Sequence, residues 1–157
     1  MTYAITLPAL AAGVLHAPVP IDLPAMTDAV YTGINDTRAA HGLPALAWHP
    51  GVATIAQIRT IDIAIGAFTH HDNQHRLVFW DMLRDAGYLN YEETGEVLAK
   101  SIAPPTESPR HALHMWTRSP AHSAVLLSPL LVSVGIGAYV DDGMTYYAAV
   151  FLSEVPQ

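Results

Sequence analysis

Three polar side chains sit where the surrounding sequence is apolar, and their types suit chemistry. His70 follows Gly66-Ala67-Phe68-Thr69, Glu96 lies inside Gly95-Glu96-Val97-Leu98, and His122 falls in the first turns after Ser119-Pro120. Two imidazoles and a carboxylate are donors that a divalent ion such as zinc accepts. The same groups serve acid/base catalysis. They equally form plain structural clusters, because buried His and Glu are normally hydrogen-bonded to something. The spacing, 26 residues from His70 to Glu96 and 26 more to His122, leaves all three readings open.

Other candidates are weaker. His111 and His114 share a helix face at i, i+3, which fits a solvated pair better than a second metal site. His71, beside His70, is expected to be exposed. Arg76, Asn35 and Arg38 read as structural, with Arg38 expected to pair with an acid. Trp48, Trp80, Trp116 and Tyr88 read as core aromatics. No nucleophile-elbow motif and no phosphate-cradling glycine loop is present.

Whole-chain properties narrow the function classes. The chain has 157 residues, enough for one domain with a real core. Charged residues make up only 13% and hydrophobic ones 51%. That balance suits either an alanine-rich surface or a surface covered in an assembly. The net charge is -7, Lys100 is the only lysine, and the six arginines are scattered. Nucleic-acid binding is therefore not expected, since phosphates need a basic patch. Cysteine is absent, which excludes a disulfide framework, a thiolate metal site and a cysteine nucleophile. No run approaches the roughly 20 apolar residues of a membrane-spanning helix.

The elements that must position these residues follow from pattern. Residues 1–24 hold Pro8, Pro18, Pro20 and Pro24 and read as an extended arm, either a signal remnant or a docking segment. Residues 25–157 form the domain. A helix is expected from Pro24 or Ala25 to His41, closed by Gly42. A second starts at Pro50 and, with Val52, Ile55, Ile58, Ile61, Ile63 and Ile65, is apolar nearly all round, so it should lie in the middle of the fold. A third runs from His75 to Ala86. Gly95–Ser101 reads as a strand, and Ser108 caps a helix over Arg110–Arg118. Ser119-Pro120 opens a short helix through Leu127. Val132–Val140 and Met144–Leu152 are strands joined at Asp141-Asp142-Gly143, a hairpin signal. The mixture is α+β.

These segments together resemble the bacterial branch of the CAP superfamily (cysteine-rich secretory proteins, antigen 5, pathogenesis-related 1; SCP-like). The likeness covers roughly residues 30–152 and rests on six stretches in order. They are Asn35-Asp36-Thr37-Arg38 with Gly42–Trp48, Gly66–His70, Trp80–Tyr88, Gly95-Glu96-Val97, Trp116–His122, and Val134–Gly137 with Tyr146–Phe151. The resemblance implies a three-layer α-β-α sandwich with a small antiparallel sheet, and an extracellular or cell-surface location. It also implies a central cleft in which two His and two Glu can hold a divalent cation. His70, Glu96 and His122 match three of those positions, and Ser119 stands at the fourth. Val97 and Val125 replace two further polar residues of the pattern.

The expected function is a non-enzymatic extracytoplasmic CAP module. It would act as a binding or assembly unit, through self-association or contact with another protein by its N-terminal arm. One alternative is a metal-dependent hydrolase using the cleft. The other is a carrier of lipid or another small apolar ligand. The expected cofactor is a divalent ion, zinc first, or none.

Overall fold

The structure, a computed structural model, describes residues 21–66 and 78–154. His70, His71, His75, Arg76 and residues 1–20 of the arm lie outside the described residues.

The first helix, α1 (Leu23–Ala40), buries Met26, Val30 and Ile34, as the apolar spacing predicts, and Arg38 continues the i, i+4 stripe in place of Ala39, which is exposed. Asp22 caps it by accepting from Ala25 N at 3.0 Å. At the other end Gly42 adopts φ +72°. Leu43 N–H reaches back to Arg38 O and Gly42 N–H to Ala39 O, both at 3.0 Å, so the last carbonyls are satisfied in a Schellman turn. The extended link that follows contains a two-residue strand, β1 (Ala47–Trp48).

The second helix is α2 (Pro50–Gly66), the third α3 (Phe79–Asp85). The expected start of the third helix at His75 is not matched, because Val78 is extended at φ -77°, ψ 157° and stands at its N-cap. Strand β2 (Thr94–Ser101) is followed by α4 (Ser108–Arg118) and α5 (Pro120–Leu126). The hairpin β3 (Ser133–Asp141) and β4 (Met144–Leu152) closes the chain. Its turn places Asp142 at φ 43° and Gly143 at φ 74°, the two left-handed positions of a type I′ turn.

The four strands form one sheet in the order β1-β3-β4-β2. Three strands are antiparallel, as expected, and β1 adds two parallel residues beside β3. One face carries α1, α4 and α5 over Val97, Ala99, Val134, Ile136, Ala138, Tyr147 and Phe151. The other carries α2 and α3 over Ala148, Val150 and Leu152. Thus α2 is an outer layer rather than a central helix. Gly135 and Gly137 explain how it packs. A Cβ at Gly135 would overlap the backbone of Val52 and Ala53, and one at Gly137 that of Ala56 and Gln57, so α2 lies backbone-close to the sheet. Its side chains that do not fit beneath are turned outward.

Three further expectations are corrected. Trp80, expected in the core, is 46% exposed. Ser108 is not a cap but the first residue of α4, buried, with its hydroxyl 2.7 Å from Tyr147 Oη and 3.0 Å from Pro105 O. Among the described residues Arg38 has no acidic partner. It is 1% exposed and donates to the carbonyls of Pro44, Leu126, Ser128 and Leu131 at 2.8 to 3.3 Å. Desolvation there lowers its pKa. The fan of bonds joins the end of α1 to the end of α5 and to the approach to β3.

His49 starts α2. Its carbonyl accepts from Ala53 N at 2.9 Å and its Nδ1 from Val52 N at 3.4 Å, while its ring stands edge-on to Tyr88. Burial pushes the His49 pKa down, which the Glu154 charge and a backbone hydrogen bond only partly offset. The sign follows. A folded His that resists protonation contributes stability above the unfolded value of about 6.5 and loses it as pH falls toward the lowered folded value. Urea unfolding of the wild type and His49→Asn, which keeps a capping acceptor but cannot titrate, is expected to show a smaller loss of stability for the variant between about pH 7.5 and about pH 5.

Candidate functional site

The site begins with Glu96, 4% exposed, in the middle of β2. Alternation along the strand sends Val97 and Ala99 to the α1/α4/α5 side and Leu98 to the α2/α3 side. Glu96 shares the side of Leu98, and there it meets Arg59 of α2. Arg59 Nε donates to Oε1 at 2.6 Å and Nη2 to Oε2 at 3.2 Å, with both side chains sealed from solvent. This is a two-pronged guanidinium–carboxylate pair in a dry setting, the strong form of a charge-assisted hydrogen bond. Sequence reading missed Arg59. The available signal was its oddness, since Arg59 and Asp62 are the only charged residues of a 17-residue helix.

Asp62 lies one turn further along α2. It is 9% exposed, and its Oδ2 is shielded from solvent with no hydrogen-bond partner among the described residues. It adds negative charge on the inner face of the helix that carries Arg59.

His122 lies in α5, half-buried, with its Nδ1 shielded from solvent. The helix meets β2 through Val125, one turn later. A Cβ on Gly95 would come within 2.6 Å of Val125 Cγ1, so valine and glycine are fitted face to face. Val125 and Val97 therefore make apolar packing where the family pattern has polar groups, Val97 being fully buried in the core. α5 thus approaches one face of β2, the edge strand of the sheet, while Glu96 points from the other. That edge is partly covered, because Trp116 Nε1 donates to Leu98 O at 2.9 Å. Ser119, at the fourth family position, is the N-cap of α5 and makes no side-chain capping bond. His70, the third expected member, lies outside the described residues.

The remaining candidates have plain roles. Asn35 bonds both backbone groups of Leu46, at 2.8 and 3.2 Å, and holds the link against α1. His111 Nδ1 is 2.7 Å from Ser101 Oγ, which also accepts from Ala103 N at 3.2 Å. His114 is exposed. Among the described residues no group of three His, Asp or Glu side chains could hold a metal ion.

The buried pair sets an energetic expectation. Removing one partner strands a charge in the core, at a cost of about 3–5 kcal/mol, whereas removing both with apolar residues of similar volume is often close to neutral. Arg59→Met alone should lower the stability measured by urea unfolding by that amount. Arg59→Met with Glu96→Met should recover most of it. A double variant as unstable as the sum of the two single ones would show that the residues act independently.

Comparison with known proteins agrees with this architecture. Residues 31–153 match the model of the CAP family, described as the cysteine-rich secretory protein family. No curated protein matches the chain. Among solved structures, an extracellular protein containing a SCP domain from Bacillus anthracis superposes with TM-score 0.71 at 22% identity, over 84% of this chain and 41% of that one. An outer surface protein of Borrelia burgdorferi gives 0.74 at 17% identity, over 84% and 95%. A cysteine-rich secretory protein of Staphylococcus aureus gives 0.65 at 22%, over 86% and 41%. The chain thus spans about two fifths of the Bacillus and Staphylococcus proteins and nearly the whole of the Borrelia one. With the family pattern covering most of its length and the three-layer architecture in place, the chain belongs to the CAP family of cysteine-rich secretory proteins.

Proposed function

We propose that this chain is a non-enzymatic CAP module that works outside the cytoplasm as a binding or structural unit. The observation that carries the reading is the Arg59–Glu96 pair. A hydrolase of this design needs its carboxylate as a metal ligand or a general base. Here both oxygens are already bonded to a guanidinium. Such a partner occupies a lone pair on each oxygen and holds the carboxylate in place. On the opposite face of β2, Val97 and Val125 leave the side that α5 approaches apolar. The extracytoplasmic placing draws on the fold relatives described as an extracellular and an outer surface protein. Among the described residues no helix is long and apolar enough to cross a membrane. Contact with another protein is assigned to the proline-rich arm of residues 1–24, which carries no charged side chain before Asp22.

A divalent ion on His70, Glu96 and His122, zinc first, is the second reading. The donor types suit it, and a carboxylate has lone pairs beyond the two that Arg59 uses. The fit is nevertheless poor, since a guanidinium hydrogen-bonded to the same carboxylate repels a dication, and Ser119 supplies no fourth acid.

Metal analysis and native mass spectrometry of the full chain test both readings together. The expected result is well under one zinc per chain, with ester and peptide hydrolysis equal in the wild type and the paired His70→Ala, His122→Ala variant. Stoichiometric zinc that disappears in that variant, together with a hydrolytic activity, would overturn the non-enzymatic reading. A co-purified apolar adduct on the native spectrum would favour a carrier of lipid or another small apolar ligand.

A further inference from the structure

We propose that the outward face of α2 is a two-fold contact between two copies of this chain. An outer-layer helix normally shows polar residues to water. This one shows Thr54, Ile58, Ile61 and Ile65. Ile58 is 44% and Ile65 62% exposed, Thr54 is exposed and Ile61 half-buried. The intervals of four, three and four residues are those of a helix seam, and β-branched side chains are common in such seams. Arg59 and Asp62, the only ionisable residues of α2, both face inward, so its exposed face bears no charge.

Beside this ridge runs a groove between α2 and the first turn of α1, lined by Leu23, Pro24, Trp48, Ile58 and Ile136 among others, with Asp28 its only ionisable residue. Ile58 belongs to both ridge and groove. A two-fold contact requires a self-complementary patch, and an apolar ridge alongside an apolar groove meets that requirement, each copy's ridge lying in the other's groove. Charge points to the same occupant. Two copies at net charge -7 repel, and the face of α2 is a place where they can approach without opposing carboxylates. Size decides how much must take part. A 17-residue helix offers a strip about 25 Å by about 12 Å, or about 300 Å², well below the roughly 800 Å² per partner of a stable dimer. The groove and the start of α1 must therefore be buried as well.

Sedimentation velocity on the full chain from about 1 to about 300 µM tests this. The wild type is expected to show a monomer–dimer equilibrium. Ile58→Glu with Ile65→Glu should raise the dimer Kd by about tenfold or more with an unchanged circular-dichroism spectrum. Because the chain has no cysteine, Ile61→Cys adds a single thiol. It should cross-link under mild oxidation, whereas Leu89→Cys, on the exposed link before β2, should not. A wild type that stays monomeric throughout overturns the proposal. A dimer indifferent to the two glutamates also overturns it and leaves the arm as the route of association. A monomer that floats with phosphatidylcholine vesicles through the same isoleucines overturns it in favour of a lipid surface.

Discussion

A guanidinium sealed from water has to find acceptors, and Arg59 finds the carboxylate of Glu96. Taking two ions out of water costs several kcal/mol each, so neither residue can sit where it does without the other. The pair fixes the rotation of α2 about its own axis. Once Arg59 points at β2, Val52, Ile55, Ala56 and Ile63 are turned toward the sheet as well, and Ile58 and Ile65 are turned away. It also fixes the depth of the helix, because a two-pronged bond at 2.6 and 3.2 Å tolerates little slack. The glycines of β3 allow that depth by removing the side chains that would stand in the way.

The other helical layer depends on a different device. Arg38 carries no carboxylate and spreads its charge over four backbone carbonyls. Those carbonyls belong to the link after α1, to the end of α5 and to the loop before β3. Buried carbonyls need donors, and one side chain supplies several at once. The position of α5, and of His122 upon it, therefore follows from α1, while the position of Glu96 follows from α2.

Much of this was legible in the sequence where the cause was local. Gly42, Pro50 and Asp142-Gly143 mark their turns and helix starts because each answers to its own backbone. The six stretches of family likeness gave the layer order and the strand that carries Glu96. What escaped has partners far along the chain. Arg59 and Glu96 are 37 residues apart, and nothing between them announces the pairing. The acceptors of Arg38 are carbonyls, which every residue owns, so an acidic partner was expected in their place. Ser108 sits correctly spaced for a cap but is claimed by Tyr147 from β4. The all-round apolar α2 read as central because hydrophobicity alone does not distinguish a buried helix from one with an uncovered outer face. Of the three site residues, Glu96 and His122 stand on the elements expected of them, and His70 lies outside the described residues.

The fan of bonds from Arg38 has one more implication. It ties together stretches of chain some ninety residues apart, the work that a disulfide performs in many small extracellular domains. Unlike a sulfur bridge, a guanidinium among carbonyls forms without an oxidant, cannot be cut by glutathione and has no wrong thiol to pair with. The fold of this chain is accordingly indifferent to redox poise, and it needs no isomerase to reach its native cross-links.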